Sequence, residues 1–316
     1  MKLSIIIPVY NVEKYIASCL DSVYNQNTSE EMFELVVVND GTPDNSMSVV
    51  QQYATIHSNI KIINQTNGGV SKARNAGIDN ASGDYITFLD SDDELASGSL
   101  ESFFSQNHDS DIFVLNLGSN KRNTYSYEWR GIVDNNAQYS GAELFSKYHY
   151  FRGSVCAAIY SKAFLTRHSI KFPLNVPNGE DTIFFVHCQS KASSIKFIDA
   201  DFYLINEVIG SASRSKYTIE KAEKAKNGLA YIDSLISENC DNQNMLHYLK
   251  YQIISNYINV LVKSGFPAST MYLQPSIKSF LPIKLDGITF KRNKIKLLNF
   301  STSLFFAFSK LKKAIK

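Results

Sequence analysis

Residues 88–94 read FLDSDDE, so four carboxylates, Asp90, Asp92, Asp93 and Glu94, crowd into five positions. Like charges this close cannot all stay ionised cheaply, so a chain that gathers them calls for something positive beside them. A hard divalent ion such as Mg2+ or Mn2+ takes oxygen ligands and is often held by one or two carboxylates plus a substrate's phosphates. Asp90 and Asp92 flank Ser91 and are the expected ligands. Asp93 and Glu94 are expected to cap a helix over the ELASGSLESFF segment, since acids in a first turn favour the helix dipole.

Three further segments could do chemistry. Asp40 directly follows the apolar run 34–38 and its Asn39, and a single buried carboxylate there can accept a hydrogen bond from a pyrimidine N–H. Asp44, four residues on, reads as a turn or cap residue. Gly68 and Gly69 permit close backbone approach, and Lys72 and Arg74 after them could meet phosphates. Glu180 and Asp181 follow Gly179, where they could open a helix or supply a general base beside a sugar acceptor. His187 has no second histidine at ligand spacing and reads as structural.

The elements that must position these residues alternate. Residues 3–8 form an apolar run of strand length, followed by Val12, Tyr15, Ile16, Cys19, Leu20 and Val23 at helical spacing. The pattern repeats through strands at 34–38, 59–63 and 85–89, with helices opening at Asp44 and Val70. Such βα alternation predicts an α/β fold with a mainly parallel sheet and helices on both faces. Ligands in such sheets bind outside the carboxyl ends of the strands, where the four polar loops PVYN, NDGTPDNS, NQTNGGVSKARN and DSDDE fall.

Residues 121–150 are irregular, with a strand pair expected around KRNTYSYEWRGIV; a short helix and a second helix from near Glu180 follow. Beyond Arg214, Ala222 to Leu235 and Leu246 to Leu261 mark two helices, the second closed by Gly265 and Pro267. The last 26 residues hold eight basic residues and no acidic one, with Leu297, Leu304, Phe308, Leu311 and Ile315 on one expected stripe and aromatic bulk at Phe305 and Phe306. A stripe of this kind is expected to meet an anionic membrane surface.

At 316 residues with 44% hydrophobic content, the chain can fill a sizeable core. Its 32 basic and 30 acidic residues leave a formal charge of +2, which argues against nucleic acid as partner. Four widely spaced cysteines suggest buried, reduced thiols rather than a zinc site or disulfides. The apolar run near the N-terminus stops at Pro8, too short for a signal-peptide core or a span, so the expected location is cytoplasmic and peripheral at the inner face of the cell membrane.

Taken in order, SIIIPVYN, VVVNDGTPDNS, NGGVSKARNAGI, GDYITFLDSDDE and the GED at 179–181 resemble the family 2 glycosyltransferases of bacterial capsule, O-antigen and exopolysaccharide synthesis. The resemblance covers about residues 2–215 and implies a GT-A domain there, with nucleotide-sugar binding in 1–100, the acceptor side in 101–215 and a helical region at 216–316. It implies that Asp90 and Asp92 hold Mg2+ or Mn2+ against the diphosphate of a UDP-sugar, that Pro8, Tyr10 and Asp40 hold the base, and that Asp181 is the catalytic base. Ser91, Lys72 and Arg74 complete the expected donor site, and the acceptor is a glycan or a lipid-linked oligosaccharide. Asn39 stands where the family often has Asp, and Asn206-Glu207 where it often has Tyr-Arg, with the loop at 210–213 still similar. A sugar-phosphate nucleotidyltransferase would want a Gly-rich, basic loop after the first strand, which PVYNVEKY lacks; a non-catalytic nucleotide-sugar-binding subunit remains the other alternative.

Overall fold

The computed structural model describes residues 1–120, 124–126, 129–176, 179–207, 219–238, 242–263, 279–286, 288 and 290–314. The chain divides into two compact units. The first comprises residues 1–141, 154–174 and 192–211, and the second comprises 142–153, 175–191 and 212–316.

In the first unit, strands β1 (Leu3–Val9), β2 (Phe33–Asn39), β3 (Ile60–Asn64) and β4 (Tyr85–Phe88) alternate with helices α1 (Ile16–Tyr24), α2 (Ser46–Ile56) and α3 (Val70–Asn80). Leu3, Ile5, Ile6, Ile7 and Val9 of β1 are all buried, which explains why β1 reads as a continuous apolar run rather than an alternating one. It lies parallel to β2 on one side and to β4 on the other. The order β3-β2-β1-β4 reverses direction at β1, and that reversal opens a crevice at the carboxyl ends of β1 and β4.

Beyond β4 the sheet is mixed. After the two-residue β5 (Glu94–Leu95), α4 (Ser99–Phe104) leads into β6 (Ile112–Ser119), β7 (Thr124–Ser126) and β8 (Gln138–Tyr139). Then α5 (Gly141–Ser146), β9 (Ala158–Ser161), α6 (Lys162–Arg167), α7 (Glu180–Lys191) and β10 (Ile195–Ile205) follow. β9 is antiparallel to both β4 and β6, whereas β6 and β10 run parallel. Helices α1 and α4 cover one face, where Leu20, Val23, Leu100 and Phe103 pack on Ile5, Ile7 and Leu35. On α3, a side chain at Gly77 would place its Cβ 2.3 Å from Ile6 Cγ2, so this glycine is what lets the helix lie close on β1.

Two expectations change here. The helix expected over ELASGSLESFF is confined to 99–104, because Leu95 pairs with Tyr203 and Ala96 N donates to Phe202 O; the backbone is spent on β10 before Gly98 (φ +73°) turns it into α4. Asp93 and Glu94 therefore cap no helix. Of the strand pair expected within 121–133 the described residues show one strand, β7, and its partner is β6 from before the segment; residues 121–123 and 127–128 lie outside the described set.

The second unit gathers α7 with α8 (Ile219–Ser237), α9 (Gln243–Lys263), α10 (Arg292–Phe300) and α11 (Thr302–Ala314). Ile183, Val186, Leu229, Ile232, Leu249, Ile258, Leu298 and Phe306 share its core. Because α7 packs into this helical core, the unit takes in residues well before 216. The single stripe expected over 297–315 is interrupted by Ser301, which is extended (φ −159°, ψ 115°), and Phe305 and Phe306 turn inward. Gly265, Pro267 and Ile315 lie outside the described residues.

Candidate functional site

The acidic turn begins where β4 ends. Leu89 N still donates to Ile6 O (3.0 Å), holding the start of the turn beside β1. Asp90 then leaves the sheet, and its Oδ1 accepts a 2.7 Å charge-assisted hydrogen bond from Arg74 Nη2. Arg74 is 3% exposed, comes from α3 and lies over the Phe172 ring at 5.2 Å. The residue expected to meet phosphate is here paired with Asp90.

Asp93 is buried, accepting from Tyr203 Oη (2.7 Å) and from Asn206 N (2.7 Å). Burial first, then the Asp90 charge, pushes its carboxyl up to about 7 despite those two donors. The same two causes raise Asp92, whose side chain is half-buried. Tyr203, itself fully buried, stays a phenol and a donor because burial and the Asp90 charge raise it too. Asn206 also donates from Nδ2 to Asp92 O (3.0 Å) and to Glu94 Oε1 (2.9 Å). Two buried thiols finish the underside: Cys19 Sγ donates to Asp90 O at 3.7 Å and Cys156 Sγ to Asp90 Oδ2 at 3.9 Å.

Electrostatically, this turn carries more negative charge than its protein partners neutralise. Arg74 is the guanidinium paired to it, against four carboxylates. Among the described residues no group of three or more His, Cys, Asp or Glu forms a metal cage by itself. Two oxygen-donor carboxylates in a surplus negative field are instead the kind of partial site that Mg2+ or Mn2+ completes with substrate phosphates.

Beside the turn, Asp40 is 3% exposed and organises the glycine loop. Its Oδ1 accepts from Gln65 Nε2 (2.7 Å) and Gly68 N (2.8 Å), its Oδ2 from Gly69 N (2.8 Å). Gly69 has φ +84°, which a side chain would strain, and the stem of Lys72 crosses so close to Gly68 that an added Cβ would lie 2.2 Å from Lys72 Cδ. The loops after β1 and β2 are stitched together: Asn11 N donates to Thr42 Oγ1 (2.8 Å) and Glu13 N to Asp44 Oδ2 (2.8 Å). Burial opposes ionisation of Asp44, but hydrogen bonds from Ser46, Thr42 and the Glu13 backbone outweigh it and bring the carboxyl down to about 2. The turn role expected of Asp44 is what these bonds describe.

Pro8, Tyr10, Asp40, Lys72, Arg74, Asp90, Ser91 and Asp92 therefore all belong to the first unit. Tyr10 is 51% exposed at the end of β1 and Ser91 is buried within the turn. Asp181 stands in the second unit, half-buried in the first turn of α7, where Ile183 N donates to Gly179 O (3.0 Å). The loop at 210–213 is outside the described residues. A cavity of about 410 Å3 lined by Gln106, Asn136, Lys196 and Asp199 includes none of the expected residues. Gln65, Tyr203 and Asn206 went unnoticed as supports, since no local pattern links them to carboxylates 25 to 113 positions away.

Residues 4–168, just over half the chain, match the family described as Glycosyl transferase family 2. The chain belongs to that family. It is 30% identical over 223 residues to the uncharacterized glycosyltransferase EpsJ of Bacillus subtilis, covering 68% of this chain and 63% of that protein. It is 33% identical over 213 residues to the poly(ribitol-phosphate) beta-glucosyltransferase of Bacillus spizizenii, covering 65% of this chain and 32% of the relative. The chain thus spans between a third and just under two thirds of the length of these relatives. The solved structure of S. aureus TarS 1-349 in complex with UDP-GlcNAc superposes with a TM-score of 0.68 at 24% identity, over 99% of this chain and 89% of that one. That likeness bears out the α/β GT-A fold, including helices toward the C-terminal end.

Proposed function

We propose that the chain is an inverting glycosyltransferase that moves a sugar from a nucleotide diphosphate donor, a UDP-sugar, to a hydroxyl of a glycan or lipid-linked oligosaccharide in bacterial surface polysaccharide synthesis. The observation that carries this reading is the carboxylate-rich turn at the β1/β4 reversal, with Asp40 and the glycine loop beside it. Asp92 and Asp90 would hold Mg2+ or Mn2+, which when bound offsets the charge that builds on the leaving diphosphate. Arg74 keeps Asp90 in a fixed orientation, and Asn206 and Tyr203 fix the backbone that presents Asp92. A low-dielectric floor of buried side chains makes those fixed charges act strongly on a substrate.

Tyr10 offers an exposed ring at the end of β1 for a planar base. Among the described residues Asp40 Oδ2 takes one hydrogen bond, so it retains capacity to accept a pyrimidine N–H. Lys72 is exposed, and its ammonium is available to the diphosphate while its stem shields the glycine loop. Support also comes from TarS, a relative at 27% identity whose structure was solved with UDP-GlcNAc. Asp181 is assigned the proton transfer from the acceptor hydroxyl on the strength of its Gly-Glu-Asp segment at the start of α7.

Release of free UDP only when UDP-sugar, Mn2+ and acceptor are all present tests the reading, and donor binding without any release would make the chain a binding subunit. Asp181→Asn keeps the shape and removes the proton acceptor, so calorimetric donor affinity should survive while transfer falls by about 10²-fold. Wild-type rates in that variant would take Asp181 out of the mechanism; lost donor binding would move it to the nucleotide site.

A further inference from the structure

Helix α11 is apolar on two sides. Thr302, Phe305 and Phe306 are buried, and Phe305 and Phe306 belong to the core of the second unit, where Phe305 stands edge-on to Tyr251 at 6.4 Å. A terminal helix that simply docks on a core would be polar on its other side. Instead Leu304, Phe308 and Leu311 recur at i, i+4 and i+7 and are 50%, 47% and 63% exposed. Phe300, at the end of α10, is 81% exposed. Of the ten large hydrophobic side chains exposed among the described residues, these four fall within the twelve positions 300–311.

Charge surrounds this apolar strip. Residues 291–316 carry eight lysines and arginines and no acid, although the whole chain is close to neutral at +2. Lys296 is exposed on α10 and Lys310 on α11. At the start of α10, Lys291, Arg292, Asn293 and Lys294 line an open concavity of about 450 Å3. No described helix is long and apolar enough to cross a membrane, so this is not a spanning segment.

We infer that α10 and α11 lie on an anionic lipid surface, with Phe300, Leu304, Phe308 and Leu311 in the headgroup boundary and the lysines meeting lipid phosphates. An apolar strip flanked by cations without an acid is complementary to a bilayer that is apolar beneath and anionic at its face. A second copy of the chain would bring the same cations against each other, which disfavours self-association through this face. The inference rests on the surface of the second unit alone and holds whichever sugar the protein transfers.

Sedimentation of the full chain with vesicles of phosphatidylglycerol and of phosphatidylcholine tests it, with solution mass measured in parallel. The wild type should sediment with phosphatidylglycerol vesicles and at least tenfold less with phosphatidylcholine. The triple variant Leu304→Ser, Phe308→Ser, Leu311→Ser should bind phosphatidylglycerol at least tenfold more weakly, with its circular dichroism and thermal midpoint unchanged because the inward Phe305 and Phe306 are kept. Should that variant unfold, Lys294→Gln with Lys296→Gln serves instead, at about fivefold weaker binding per charge removed. Wild-type protein that stays in the supernatant, variants that sediment like wild type, or a wild-type dimer that the triple variant dissolves would each overturn the proposal.

Discussion

The acidic turn of the first unit and the basic helices of the second are both dense in charge, and they treat it in opposite ways. In the turn, Asp90 and Asp93 are taken up by Arg74, Tyr203 and Asn206, at a cost in ionisation that lifts Asp93 to about 7. In α10 and α11, Lys296 and Lys310 sit at the surface on helices that also carry bare Phe and Leu side chains. Buried charge is geometrically fixed and expensive to disturb, whereas surface charge is screened and individually cheap. The first arrangement suits the orientation of a reacting group. The second suits reversible contact with a broad surface.

Substitutions separate the two. The largest effect is expected on catalysis at the turn: Asp92→Asn removes one of the two carboxylates expected to hold the cation, so transfer should fall by about 10²-fold or more in a UDP-release assay, with EDTA silencing the wild type. Full turnover in EDTA would give the carboxylates a structural task only. Next in size is Arg74→Ala, which leaves Asp90 and its neighbours without their guanidinium and should cost about 3 kcal/mol in urea unfolding. A loss under 1 kcal/mol would mean that the pair is not the fixed element described above.

A smaller effect belongs to Asp44. Its carboxyl lies at about 2 in the folded chain against 3.8 for the free group, so the unfolded state binds more protons between those values. Stability from Asp44 is present above pH 4 and drains away as pH falls toward 2. Allowing for solvent screening it amounts to about 1 kcal/mol, and Asp44→Asn should flatten that part of the pH profile. An identical acid limb in the variant would contradict the hydrogen-bond account. Smallest of all, Lys294→Gln with Lys296→Gln should alter the unfolding free energy by no more than about 0.5 kcal/mol. A larger loss would mean that these cations, too, are part of the folded framework.

What the sequence disclosed follows the same division. Strands β1, β2 and β4 are buried on both faces and announce themselves as apolar runs, and the four polar loops after β1, β2, β3 and β4 were legible because strand ends carry them to one edge. Helix α1 begins only at Ile16, since Tyr15 N closes a turn onto Val12 O, a local bond that periodicity does not reveal. Strand β10 gives no regular signal, because its register shifts between Phe197 and Tyr203 break any period of two. Asn206 looked like a departure from the expected family pattern, and its meaning lies in the Asp93 and Glu94 carboxylates and the Asp92 carbonyl, 112 to 114 positions earlier. On α11 the outward strip of Leu304, Phe308 and Leu311 was legible as a stripe, whereas the burial of Phe305 and Phe306 was not, because it depends on partners such as Tyr251 far away in the chain.

The thiols under the acidic turn make that turn a timepiece. Cys19 is inaccessible and Cys156 nearly so, and burial, then the neighbouring acids, holds Cys19 far from the reactive thiolate. An alkylating reagent can modify Cys19 only while the β1/β4 edge is open, so its rate counts openings of that edge. Cys188, fully buried in α7, counts openings around that helix in the same tube. Mass spectrometry of the two peptides thus reads both openings from one native, unlabelled chain.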